Sequence, residues 1–183
     1  SDKLKAFNDA SDDISSALSY ILKNKAEFNF NLDKVVLFGV SAGAEAILNL
    51  LFTTDKYNSE NQVNIKAVIC KSGALSSLEG LKDKNILMQL FHGNNDKLVP
   101  FHSGSHRNCK KGDQGYLMLF GSRVIANELK DLNKPYYMVT LKNGNHAMNG
   151  LSYSDSLKEV LTFLDAIRSN RFIKSVEKVY ETN

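Results

Sequence analysis

Three side chains of this 183-residue chain are of the types that nucleophilic acyl transfer needs, and they come in the order serine, carboxylate, histidine. Ser41 lies between Gly39 and Gly43 in VVLFGVSAGAEAILNL, Asp96 in FHGNNDKLVP and His146 in LKNGNHAMNG. A serine hydroxyl is a weak nucleophile until a base removes its proton. An imidazole base in turn needs a carboxylate to fix its tautomer and to stabilise its protonated form. Glycines on both sides of the serine suit a strand-to-helix turn too sharp for side chains, and such a turn presents the serine oxygen. The helix that follows points its N-terminus at the serine, so the Ala42 N–H is expected to donate to a developing oxyanion.

The elements that must position these groups are legible as apolar runs and helical spacings. Short continuous apolar runs at 35–38, 65–70, 86–91 and 136–141 suit parallel strands covered on both faces. Three-and-four spacing of Phe7, Ala10, Ile14, Ala17, Leu18, Ile21 and Leu22 predicts an amphipathic helix over 3–24. Further helices are expected at about 42–54, 116–132 and 154–169. The last carries a stripe of Leu157, Val160, Leu161 and Leu164, with Ser156 and Glu159 as a capping box. The tail 170–183, with Phe172, Ile173, Val176, Val179 and Tyr180, is expected to dock as a helix. Strand–helix alternation predicts an α/β fold, a mostly parallel sheet with helices on both faces. Ligands bind such sheets beyond the carboxyl ends of the strands. Ser41, Asp96 and His146 all follow an apolar run.

Composition narrows the alternatives. A net charge of +3 from 23 basic and 20 acidic residues is mild and scattered, so neither a nucleic-acid stripe nor a membrane patch is indicated. No apolar run reaches the roughly 18 residues of a membrane span. No leader is visible, and the first residues read as mid-domain helix. No repeat or linker divides the chain, so residues 1–183 are expected to form one domain. GVSAGAEA lacks the Gly-Lys-Ser of a phosphate loop and the third glycine of a dinucleotide fingerprint, and His-Glu-x-x-His is absent. No cofactor is expected. His102, His106 and Cys109 are close in sequence, but their spacing matches no zinc pattern and no fourth ligand is evident, so no metal is expected either. Cys70 and Cys109 fall on the same edge of the expected sheet, which allows one disulfide in an oxidising compartment.

Together these residues resemble the C-terminal half of an α/β-hydrolase, in its carboxylesterase and hormone-sensitive-lipase-like branch. The likeness is carried by VVLFGVSAG, LFHGNNDKLVP, GNH and the helix DDISSALSYILKN, and spans about residues 10–168. It implies Ser41, Asp96 and His146 as a catalytic triad that cleaves a small-molecule ester through an acyl-enzyme. A serine peptidase or another acyl hydrolase fits the same triad, and a non-catalytic binding module on the same fold is the third reading. Ala44 stands where the family usually has a further glycine. The family's strands before the serine turn, and its His-Gly-Gly oxyanion loop, have no counterpart in these 183 residues. The serine strand, central in the family, would then be an edge with unpaired backbone groups. Either the remainder of a longer protein or a second copy of the chain is expected to complete the sheet.

Around the triad, His92 is expected to brace the acid loop by hydrogen bonds. Val40, Ser72, Val99, His102 and Met148 are the expected substrate-pocket residues. The polar insertion 102–115 is expected to lie over the site, and Tyr136 and Tyr137 to pack within a strand.

Overall fold

The computed structural model describes residues 2–28, 32–57, 63–171 and 174–181. Helix α1 (Asp2–Lys23) and the short α2 (Lys25–Phe28) lead to β1 (Val35–Val40) and α3 (Ala42–Phe52). Then follow β2 (Ile65–Lys71), β3 (Ala74–Leu75), β4 (Leu87–Gly93), β5 (Ser103–Ser105) and β6 (Met118–Gly121). Helix α4 (Ser122–Asp131), β7 (Tyr136–Lys142), α5 (Tyr153–Arg168) and β8 (Val176–Glu181) complete the order. The main sheet runs β1-β2-β4-β7-β8 with every neighbouring pair parallel, and β3-β6-β5 form a small antiparallel sheet.

Apart from the run of β1, the continuous apolar runs are buried on both faces, as parallel strands require. Val68, Cys70, Met88, Leu90 and Met138 pack on one face with Leu48, Leu51, Ile125 and Leu129 of α3 and α4. Their alternates Ala67, Ile69, Phe91, Val139 and Leu141 pack on the other with Phe163 and Ile167 of α5. Burying a residue the size of Phe163 contributes about 1.5–3 kcal/mol. Strand β1 lies at the sheet edge among the described residues, as expected for the serine strand, with Phe38 57% and Val40 48% exposed.

Three local expectations are corrected. Residues 118–121 are strand β6 rather than the start of a helix, because pairing with β3 and β5 holds them extended and buries Leu119; the helix begins only at Ser122. Residues 176–181 of the tail form β8 rather than a helix. Their side chains alternate: Val176 and Tyr180 pack toward the α5 face, while Glu177 bonds Arg123 and Tyr136. Phe172 and Ile173 lie outside the described residues. Finally, α5 is capped by Ser152, whose Oγ accepts from the Asp155 N–H at 3.0 Å, and not by a Ser156–Glu159 box. Glu159 instead turns inward, accepting from the Tyr137 and Tyr180 hydroxyls, and Leu157 and Leu161 of the expected stripe are exposed. Burial and the Glu159 carboxylate push the Tyr137 phenol up, so both hydroxyls stay protonated donors.

Candidate active site

Ser41 sits at the junction of β1 and α3 with φ 53° and ψ −123°, a left-handed conformation rarely adopted by a residue with a side chain. The turn is held by the Ser41 N–H, which donates to the Lys71 carbonyl at the end of β2 at 2.8 Å. A Cβ on Gly39 would come within 2.7 Å of the backbone of Gly43 and Ala44, so only glycine lets the strand run this close to the helix. Gly43 differs from the expectation: a Cβ there meets nothing within 4 Å, so the turn needs one glycine for steric reasons and not two. Ala42 opens α3, and its N–H is among the first-turn donors without a partner inside the helix.

The structure brings Ser41, Asp96 and His146 together from three strand ends. His146 Nε2 lies 2.9 Å from Ser41 Oγ, and His146 Nδ1 lies 2.7 Å from Asp96 Oδ2. An ionised carboxylate only accepts, so Nδ1 carries the proton and Nε2 presents its lone pair to the serine hydroxyl. The Asp96 side chain is 0% exposed. Burial pushes its carboxyl up. Bonds from His92, His146 and the Leu98 and Val99 N–H groups outweigh that and hold it down at about 2.

His92 braces this acid from behind. Its Nε2 lies 3.2 Å from Asp96 Oδ2 and its Nδ1 2.8 Å from Ser122 Oγ. With the carboxylate accepting, Nε2 holds the proton and the Ser122 hydroxyl donates to Nδ1. Both residues are fully buried. The acid and histidine loops are also tied to each other. Asn95 N–H donates to Gly144 O at 2.9 Å, and Asn143 N–H to Asn94 Oδ1 at 2.6 Å.

A cavity of about 320 Å³ opens against Ser41 and Ala42. Of the expected pocket residues, Val99 lines it. Ser72 does not: it is buried, and its hydroxyl donates to the His146 carbonyl at 2.9 Å, so it anchors the histidine loop. Met148 is packed in the core against the α5 face. His102 is exposed and stacks edge-on against Phe101, and Val40 lies on the sheet edge outside this cavity. The insertion does reach the site, through His106, Arg107, Cys109, Gln114 and Gly115. His106 Nε2 lies 2.5 Å from Oε1 of Glu45, a carboxylate only 2% exposed in the first turn of α3. Glu45 and Ser122 escaped the sequence reading. For Glu45 a signal existed, since an acid inside the apolar helix AGAEAILNLLF must find a partner if buried. Cys70 and Cys109 are free: Cys70 lies in the core between strands, its thiol pushed up by burial to about 12, and Cys109 lines the cavity.

A parallel sheet with helices on both faces and a serine presented at a left-handed strand–helix turn defines the α/β-hydrolase fold, as the motifs implied. Residues 2–86 match the model of the BD-FAE family, an esterase-like α/β-hydrolase family. No curated protein matches the chain. Among solved structures, a puromycin-hydrolysing peptidase of Mycobacterium tuberculosis aligns with TM-score 0.51 and 15% identity, over 93% of this chain and 27% of that one. An acylaminoacyl peptidase of Pyrococcus horikoshii aligns with TM-score 0.45 and 18% identity, over 86% of this chain and 27% of the other. The chain thus spans about a quarter of the length of these two structures. Among the described residues, no helix is long and apolar enough to cross a membrane.

Proposed function

We propose that the protein is a serine hydrolase that cleaves small carboxylic esters through an acyl-enzyme on Ser41. The observation that carries this reading is the unbroken relay from Ser41 Oγ through His146 to the buried Asp96 carboxylate. In the first half-reaction Ser41 Oγ attacks the ester carbonyl carbon while His146 Nε2 takes its proton. The new oxyanion accepts from the Ala42 N–H. Collapse expels the alcohol, which leaves with the proton from His146, and the acyl group stays on Ser41. Water then attacks the acyl carbon, His146 takes the water proton and returns it to Ser41, and the carboxylic acid departs. Asp96 remains ionised throughout and stabilises the imidazolium.

Ala42 supplies one oxyanion donor in this scheme. Each such donor is worth about 10²–10³ in rate, so turnover depends strongly on whether a second joins it. The match to an esterase-like family favours esters over amides. The same chemistry cleaves amides, and a structural neighbour carries a peptidase name, so an amide arm belongs in the test. Turnover of p-nitrophenyl acetate and of a p-nitroanilide should be measured for the protein and for Ser41→Ala. Ester cleavage abolished in the variant is the expected result. Full turnover in Ser41→Ala refutes the reading, and cleavage of the anilide alone moves it to a peptidase. No turnover of either, with no serine labelling, leaves the fold as a binding module.

A further inference from the structure

The cavity beside Ser41 carries charge that acyl transfer itself does not require. Two cationic side chains line it: Lys3 from the first turn of α1 and Arg107 from the insertion. Among the described residues, neither side chain forms a hydrogen bond or an ion pair. Glu45, the acidic residue in the lining, is already bonded to His106 and is 2% exposed. At the rim the Asp2 carboxylate accepts from the Gln114 amide at 3.2 Å. The carboxylates here are therefore satisfied and the two cations are not. Partial burial holds the Lys3 ammonium below its ordinary value, against the opposing pull of the Glu45 carboxylate.

Arg107 is also held in place by its surroundings. It and Asn108 have φ of 50° and 53°, left-handed backbone that side chains disfavour. Such a conformation persists only where neighbouring contacts over-determine it. Those contacts are present: Arg107 N–H donates to Leu98 O at 3.0 Å, Ser105 Oγ to Cys109 O at 2.6 Å, and His106 packs edge-on against Phe7 while bonding Glu45. The insertion is pinned to α1 and α3, and this places Arg107, an exposed residue, in the lining of the nucleophile's cavity.

We propose that this cavity receives an anionic part of the substrate, with Lys3 and Arg107 selecting esters that carry a carboxylate near the scissile bond. The proposal rests on the reading of Ser41 as nucleophile and adds the charge of the substrate to it. Lys3 and Arg107 are specificity-determining residues in this account. A guanidinium meets a carboxylate with paired N–H donors, and a partly buried lysine adds a second charge less screened than one in open water.

Two measurements test the proposal, one of them independent of turnover. The first compares mono-4-nitrophenyl adipate with 4-nitrophenyl hexanoate, esters of equal chain length that differ in a terminal carboxylate. The expected kcat/KM favours the adipate, and that preference falls about tenfold in Arg107→Gln and in Lys3→Gln. The second uses Cys109 as a reporter, since Cys70 is buried. Labelling by the anionic sulfonatoethyl methanethiosulfonate is expected to outpace labelling by the cationic trimethylammonioethyl reagent, relative to free cysteine. Arg107→Gln is expected to level the two rates. Equal labelling rates in the unmodified protein overturn the proposal, as does an adipate preference that both variants leave unchanged. Anionic selectivity at Cys109 without turnover of either ester supports the charged cavity and refutes the nucleophile reading instead.

Discussion

Asp96 Oδ2 and His146 Nδ1 are 2.7 Å apart, and the carboxylate side of that bond is sealed from solvent. A buried acceptor of this kind imposes one imidazole tautomer. Asp96→Asn replaces the acceptor with an amide that can stabilise the wrong one. The expected effect is a fall in kcat of about 10⁴ with the far-UV spectrum unchanged. Asp113, exposed and bonded to the Lys110 N–H, is the control. Loss of activity in Asp113→Asn alone would move the acid into the insertion.

The same carboxylate makes stability depend on acid. Asp96 is held at about 2 in the folded chain, below its ordinary value of 3.8. A depressed carboxyl contributes stability that is fully present above the unfolded value and is lost as pH falls through the folded one. The window is therefore about pH 4 to 2, and the contribution is about 2 kcal/mol. Urea unfolding across that range should show a steeper loss in the unmodified protein than in Asp96→Asn. Parallel curves would contradict the account.

His92 is a positioning residue. It does not reach the reacting atoms, yet its Nε2 shares Asp96 Oδ2 with His146. His92→Phe removes that donor and leaves the buried Ser122 hydroxyl only its longer 3.4 Å bond to the Gly73 carbonyl, a cost of about 1 kcal/mol in stability. The distinguishing readout is kinetic: kcat should fall while KM holds. A stability loss with kcat unchanged would reduce His92 to a structural role.

The two glycines of the serine turn should behave oppositely. Gly39→Ala forces a methyl to within 2.7 Å of backbone and is expected to cost about 3 kcal/mol. Gly43→Ala meets open space at the start of α3 and should be neutral or stabilise by about 0.5–1 kcal/mol. Thermal melts of the two variants check the sign.

Much of this candidate site was legible because Ser41, Asp96 and His146 each follow a continuous apolar run, and such runs end at the ligand side of a parallel sheet. The supporting contacts were not. Ser122 meets His92 across 30 residues of sequence, and Ser72 meets the His146 carbonyl across 74, with no motif to announce either. Val176, Val179 and Tyr180 have spacing that a helix and a strand both tolerate, and only pairing with β7 decides for the strand. The helix expected from residue 116 failed for the same reason, since a short strand ran straight into a helix.

Edge strand β1 offers a separate test. Its outer edge, unpaired among the described residues, and the exposed Phe38 and Val40 make a template for self-pairing. Light scattering should detect association of the chain that Phe38→Lys with Val40→Lys suppresses. A monomer that shows no change in the double variant would contradict this.

The central claim is that Ser41 is an activated nucleophile, and peptide mapping after treatment with a fluorophosphonate tests it most directly. The account predicts a phosphonyl adduct on Ser41 in the unmodified protein, and loss of labelling in both Ser41→Ala and His146→Ala. An unlabelled Ser41 in the folded protein, or an adduct that forms equally well without His146, would contradict it.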